Sequence, residues 1–342
     1  MRARNVVASA YIVVTAVLLL VCPENTVGQA PRSRGPLAIV VHGGAGTISR
    51  ASMAAELEEQ YRSKLTEALQ AGYAILEKGG SSLNAVETAV AILEDSPLFN
   101  AGRGAVLTSE GQAELDASIM DGNTLKAGAV TVLRHVKNPI RLARLVMERS
   151  PHVMLAEEGA EQFAAANGIE MVDSSYFLTE RRINELQRAK EREEKKKQRA
   201  APDSGGGTVG CVALDCNGNL AAATSTGGKT NKYPGRIGDS PIIGAGNYAD
   251  NHTCAISGTG DGEYFIRGVA AYDISALMLY GGMTLQEAAD TVVMSKLKKL
   301  GGTGGVIGLD GKGNIAMPFN TEGMYRGFID KDGRLEIQFY RD

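Results

Sequence analysis

Apolar residues along this chain fall into short unbroken or alternating runs and into longer stretches that repeat at helical spacing. The two kinds succeed one another from residue 37 onward. Leu-Ala-Ile-Val-Val, residues 37–41, stops at His-Gly-Gly-Ala-Gly, residues 42–46, as a central strand does when it meets a tight glycine turn. Leu57, Tyr61, Leu65, Leu69 and Ile75 predict a helix within 51–78. Val86, Val90 and Leu93 predict another over 84–94, with Ser81 and Ser82 placed to cap it. A strand over 128–137 follows, then helices over 138–150 and 157–168, the last stopped by Gly168. Further on come strands over 208–215 and 220–226, helical patterns over 262–282 and 284–297, and short strands over 304–310, 314–320, 324–329 and 336–340. Strands, helices and strands again predict sheets packed together with helices outside.

One stretch breaks the pattern. Residues 180–207, ERRINELQRAKEREEKKKQRAAPDSGGG, hold almost no apolar residue beyond Ile183 and Leu186. Glutamates interleave with the basic residues, which predicts a solvated helix or mobile linker over 179–206 rather than a nucleic-acid patch. The whole chain agrees: a net charge of −3 gives no electrostatic case for nucleic acid or an anionic membrane as main partner. With 342 residues and 44% of them hydrophobic, the chain can bury a real core, which excludes a disordered or fibrous protein. A small-molecule or peptide partner fits better.

The first thirty residues read differently. Arg2 and Arg4 precede an apolar run from Ala10 to Val21, and Gly28-Gln29-Ala30 offers small residues before a cleavage point. That order is a secretory signal peptide over 1–30, so the mature chain is expected to begin near Pro31, secreted or periplasmic, with no membrane attachment after its removal. Removing Cys22 leaves Cys211, Cys216 and Cys254, an odd set without C-x-x-C spacing, so no disulfide framework is expected. His42, His135, His152 and His252 are scattered and form no zinc motif.

Where the linker ends, Gly207-Thr208 opens a strand-like run, Thr-Val-Gly-Cys-Val-Ala-Leu. Were this peptide bond cut, Thr208 would carry a hydroxyl nucleophile and a free α-amine on one residue. The amine's ordinary pKa, about 7.7–8.0, suits it as the base. Glycine before the threonine also lets the backbone reach the strained geometry that self-cleavage needs.

Around this junction stand VHGGAG (41–46), PLFNAGRGAVLT (97–108), ELDASIMDGNTLKAGAV (114–130), GTVGCVALD (207–215), NLAAATSTGGKTNKYPGRIGDSPIIGAG (219–246) and GTGDGEYFIR (258–267). In these segments the chain resembles the plant-type, or type 2, asparaginase and isoaspartyl peptidase family of N-terminal nucleophile hydrolases. The resemblance covers both halves in order. It implies an α+β fold, a four-layer αββα sandwich that cleaves itself into an α subunit (31–207) and a β subunit (208–342), assembled as a dimer of αβ heterodimers. It implies hydrolysis of L-asparagine to L-aspartate and ammonia, and cleavage of β-aspartyl dipeptides. No cofactor is required.

The resemblance also implies roles. Thr208 is the nucleophile, released by the cut after Gly207, and Thr226 hydrogen-bonds it. Arg236 and Asp239, with Ile237 and Gly238 between them, hold the substrate's α-carboxylate and α-amino group, chemistry that guanidinium and carboxylate suit. Thr259 and Gly260 stabilise the oxyanion, and Asp261 and Gly262 complete the substrate site. Asn100 lies near the nucleophile. Carbonyls of Leu93, Glu94, Ser96, Phe99, Ala101 and Arg103 resemble a loop that binds a structural sodium ion. The chain departs from the family at Gly258, where cysteine or alanine is common, and Asp261 stands where the family varies. Two other readings compete. A glycosylasparaginase would carry aspartate where Gly207 stands. An inert binding relative would not need Thr208, Thr226, Arg236, Asp239 and Thr259 together. TSTGGKT lacks the first glycine of a phosphate loop, since Ala223 stands there, and no amphipathic helix follows the GAGNYA at 244–249.

Overall fold

The computed structural model describes residues 35–196 and 207–341; the export segment expected over 1–30 lies outside them. The chain opens with β1 (Ala38–Gly46), α1 (Ala55–Glu77) and α2 (Ser82–Glu94), whose Ser81 side chain caps the helix by accepting from Asn84 N–H. Next come β2 (Leu115–Asp121), β3 (Ala127–Leu133), α3 (Pro139–Arg149), β4 (Met154–Ala156), α4 (Glu157–Ala166) and α5 (Glu180–Lys196). After the junction follow β5 (Val209–Leu214), β6 (Leu220–Thr226), β7 (Asn247–Ala249), β8 (Cys254–Gly260), α6 (Gly262–Gly268), α7 (Ala270–Gly281) and α8 (Leu285–Asp290). The chain closes with β9 (Gly304–Asp310), β10 (Ile315–Ala316), β11 (Gly323–Ile329) and β12 (Leu335–Tyr340).

These strands make a mixed α/β structure with two sheets. One has the order β12-β11-β1-β5-β6-β2-β3-β4 and the other β10-β9-β8-β7. In the larger sheet, strands from before and after Gly207 alternate in blocks, with β1 paired to both β11 and β5. A cut after Gly207 would therefore leave two chains bound through shared ladders.

Alternation with period two divides each central strand between two apolar clusters. Ile39 and Val41 of β1, with Val209, Cys211 and Ala213 of β5, pack on Leu65, Leu69, Val86 and Val90 of α1 and α2. The opposite face sends Val40, Val212, Leu214 and Ala222 against Ala255, Ile307 and Leu309 of the small sheet. The small sheet's other face packs Ile256 and Val306 on Phe265, Ile274 and Val292.

Three regions differ from the sequence pattern. The stretch expected as a linker begins with α5, and although most of it is polar, it is held down by buried Arg182 and Leu186. Arg182 Nε donates to the Gly104 carbonyl at 2.6 Å. The single helix expected over 262–282 is broken at Val269, which takes a left-handed φ of 48°. The strands β2, β7 and β8 were not expected from the sequence pattern.

Candidate active site

Because Val209, Cys211 and Ala213 face the helices, Thr208, Gly210, Val212 and Leu214 face the small sheet. Thr208 is buried there. Its Oγ1 donates to Thr226 Oγ1 at 3.1 Å and its N–H donates to Thr259 Oγ1 at 3.3 Å. Thr226 ends β6 and Thr259 lies near the end of β8, so the two sheets bracket Thr208 between them. Immediately upstream the backbone crosses itself. Gly44 has φ of 115°, and a Cβ there would lie 2.4 Å from the Gly207 Cα, so only glycine fits. A cavity of ≈ 300 Å³ lies beside Gly207, bounded by Gly44, Phe99, Asn100, Tyr325 and Arg188 of α5.

The turn after β6 ties the remaining residues together. Gly228 N–H donates to Thr226 Oγ1 at 3.0 Å, and Asn100 Nδ2 donates to the Gly228 carbonyl at 2.7 Å. Arg236 reaches back to the same turn: a Cβ on Gly228 would stand 3.2 Å from Arg236 Nη1. Lys232 Nζ donates to the Glu114 carbonyl at 3.0 Å, and the Glu114 carboxylate accepts from Gly235 N–H at 2.8 Å, fixing the chain just before Arg236.

Arg236 and Asp239 come together, and Gly262 lies against both. Asp239 is buried, its Oδ2 has no hydrogen-bond partner, and burial pushes its carboxyl up to about 7. A buried acceptor without a donor favours a cationic group arriving beside it. Arg236 is engaged instead: Nε and Nη2 both donate to Glu263 Oε1, at 3.0 and 2.8 Å. Asp261 is committed to Lys229 at 2.8 Å and to the N–H and hydroxyl of Thr303. Ile237 is partly exposed between the two substrate-binding candidates.

The six residues expected in a sodium loop lie on the end of α2 and the turn that follows. The Glu94 carbonyl would be 2.3 Å from a Cβ on Gly102, and the Phe99 carbonyl 2.1 Å from one on Gly104. The turn is thus packed backbone on backbone, with glycines where a side chain would strike these carbonyls. Leu93 and Ala101 carbonyls already accept from Ser96 and Gly104 N–H groups. Ser96 itself is buried, and the Arg103 guanidinium lies over the Tyr176 ring. The Glu94 side chain points elsewhere, to Ser225 Oγ at 2.6 Å and Ile140 N–H at 3.0 Å, and burial raises it to about 8.

Sequence reasoning missed Glu263, which occupies Arg236, and a set of buried polar residues under Thr208: His42, Thr224, Asn247 and Ser257. Their signal was positional. Each sits on an inward-facing position of a strand whose neighbouring inward positions are small or apolar.

A family model described as asparaginase matches residues 35–338. The chain belongs to the type 2 asparaginase family. Among relatives of this asparaginase-family chain, an isoaspartyl peptidase of Escherichia coli is 54% identical over 306 residues, which cover 86% of this chain and 93% of the relative. A human isoaspartyl peptidase/L-asparaginase is 44% identical, covering 88% and 95% of the two chains. A probable isoaspartyl peptidase/L-asparaginase of Arabidopsis thaliana is 43% identical, covering 90% and 99%.

Proposed function

We infer that this protein hydrolyses L-asparagine to L-aspartate and ammonia and cleaves β-aspartyl dipeptides, with Thr208 as nucleophile after self-cleavage of the Gly207–Thr208 bond. The observation that carries the reading is the position of Thr208, with Oγ1 on Thr226 and N on Thr259, behind a peptide pressed onto Gly44. In self-cleavage Thr208 Oγ1 attacks the Gly207 carbonyl, the acyl group moves from nitrogen to oxygen, and water hydrolyses the ester. The product is a free α-amine at Thr208 and a carboxylate at Gly207. In turnover, Arg236 receives the substrate α-carboxylate and Asp239 the α-ammonium. Thr208 Oγ1 then attacks the β-carbonyl while the α-amine takes its proton. Thr259 Oγ1 and the Gly260 N–H stabilise the oxyanion. The amine returns the proton to the leaving nitrogen, and water releases aspartate from the β-aspartyl ester.

The finer parts of the same reading are the four-layer αββα arrangement, favoured by the three apolar clusters, and the dimer of αβ heterodimers. A sodium ion held by the Glu94 and Phe99 carbonyls would brace the turn that carries Asn100. Residues 1–30 serve export, so deleting them should leave a soluble, active enzyme.

Sequencing the N-termini of the purified chains tests the core of this. Thr208 should begin one chain, and a Thr208→Ala variant should stay uncut and inactive. Cleavage of the alanine variant at the same bond without protease would refute self-processing by this residue. Hydrolysis of the α-linked aspartyl isomer as fast as the β-linked one would refute the substrate assignment.

A further inference from the structure

We infer that His42 is a positioning residue for the nucleophile, a fixed hydrogen-bond donor that sets the orientation of the Thr208 carbonyl and, through it, of Oγ1 and the α-amine. The inference rests on the reading of Thr208 as nucleophile. β1 pairs with β5 as far as His42 opposite Gly210, and β1 then bulges between His42 and Gly44. Thr208 lies beyond the last paired position, and the His42 imidazole supplies a donor there, with Nδ1 3.0 Å from the Thr208 carbonyl oxygen. A carbonyl only accepts, so Nδ1 carries the hydrogen and Nε2 carries the lone pair. Nε2 therefore accepts from the Ser257 hydroxyl at 2.9 Å. Ser257 Oγ, having given its hydrogen away, accepts from Thr224 Oγ1 at 2.7 Å; Thr224 Oγ1 also has the Gly246 carbonyl as an acceptor at 3.2 Å and accepts from Asn247 Nδ2 at 3.3 Å. The Thr208 carbonyl at Nδ1 and the Ser257 hydroxyl at Nε2 leave one tautomer.

The sequence makes room for this row at Gly210. His42, Gly210 and Thr224 are cross-strand neighbours, and a Cβ on Gly210 would lie 2.0 Å from Ser257 Oγ and 2.4 Å from His42 Nε2. Full burial holds the imidazole at about 3, so it stays neutral and acts as a donor, not as an acid or base. The Thr208 carbonyl carbon is bonded to the Cα that bears both Oγ1 and N. Turning that peptide plane moves both groups relative to Thr226 and Thr259, while Arg236 and Asp239 stay in place.

Turnover of L-asparagine per chain bearing an N-terminal Thr208 tests this, with melting temperatures measured alongside. His42→Phe keeps the volume but loses the donor, so kcat should fall about ten- to hundredfold with KM unchanged. His42→Asn can place an amide N–H where Nδ1 stood and should recover most of that loss. Ser257→Ala removes the partner at Nε2 that holds the ring in the orientation from which Nδ1 reaches the Thr208 carbonyl and should lower kcat alone, with Ser257→Thr restoring it; this pair decides the matter if the His42 variants do not fold. Full kcat in His42→Phe overturns the inference, as does an asparagine variant no better than phenylalanine at equal melting temperature, or a rise in KM that accounts for the loss. If Ser257 decides, full kcat in Ser257→Ala overturns it too. A Thr208→Ala enzyme that still turns over asparagine would instead remove the nucleophile reading, and this inference with it.

Discussion

The layer between the two sheets has two ends built on the same strands and to opposite purposes. Following the inward positions of β1 gives Ala38, Val40 and then His42; β5 gives Leu214, Val212, Gly210 and then Thr208; β6 gives Leu220, Ala222, Thr224 and Thr226. On the facing sheet β8 gives Ala255, Ser257 and Thr259. At one end the layer is closed by aliphatic packing, which is non-directional and tolerant of rearrangement. At the other end the same backbone spacing is filled by hydroxyls, an imidazole and an amide that hydrogen-bond one another, with Asn247 Oδ1 left without a partner. The site is therefore a change of side-chain chemistry along continuous strands, carried without interruption on a stiff frame.

The strongest test of that contrast changes one inward residue of β5 on each side of the switch from polar to apolar. Gly210→Ala puts a methyl 2.0 Å from Ser257 Oγ, so the polar row must part. Activity should fall by about a hundredfold or more, with a stability loss of about 1–3 kcal/mol from overpacking. Val212→Ala, two residues away on the same face, should lose about 2 kcal/mol by calorimetry while kcat holds. Equal damage to kcat in both variants would mean that the two ends are not functionally distinct.

The next test lies at the rim of the polar end. Arg236→Lys keeps the charge but not the two-pronged geometry, so kcat/KM for L-asparagine should drop by roughly 1.5–3 kcal/mol, about ten- to hundredfold. Unchanged efficiency would sink the carboxylate clamp.

The same contrast explains what could be read from the chain. β1, β5 and β9 are apolar on both faces, and their runs stood out. β2 does alternate, with Leu115, Ala117 and Ile119 toward the helices and Asp116 and Ser118 inward, but over too few residues to stand out, and β8 keeps only the apolar run Cys254–Ile256 before Ser257, Gly258 and Thr259 cut it short. The break between α6 and α7 was illegible for a different reason: Val269 adopts a left-handed backbone that valine disfavours, with no proline to announce it. Thr208, Thr226, Arg236, Asp239 and Thr259 were singled out as candidates through motif resemblance. Glu263 and His42 were not, since partners chosen by the fold leave no spacing signal: His42 and Ser257 are 215 positions apart.

Glu263 gives a smaller effect. Glu263 holds Arg236 at 2.8 Å, so if Arg236 receives the substrate carboxylate as proposed, that carboxylate displaces Glu263. The Glu263 side chain is half exposed, and such pairs are worth about 0–1 kcal/mol. Glu263→Gln should therefore lower KM for L-asparagine by up to about fivefold with kcat nearly constant. An unchanged or higher KM would show that Glu263 supports the clamp and does not compete with the substrate.

An effect on stability alone, with the smallest consequence for turnover, concerns a polar group set into the otherwise apolar helix-facing cluster. Glu94 lies under Ser225, on the face of β6 opposite Thr224 and Thr226, with Oε2 unpartnered. Burial raises its folded pKa to about 8 from an ordinary value of 4.5. The folded chain thus holds a proton that the unfolded chain has released throughout that interval. Stability linked to this proton is full below about 4.5, declines as pH rises, and is exhausted near 8, above which both states are ionised. Glu94→Gln keeps the shape and the acceptor for Ser225 but cannot ionise. Denaturant unfolding of the wild-type and variant proteins at several pH values should show the wild type losing stability relative to the glutamine variant between pH 5 and 8 and running parallel to it above, with kcat alike in both. If the two curves stay parallel from pH 5 to 8, Glu94 is ionised in the folded state. The helix-facing cluster would then tolerate a charge, and the division between an apolar face and a polar end would be less sharp than the strands suggest.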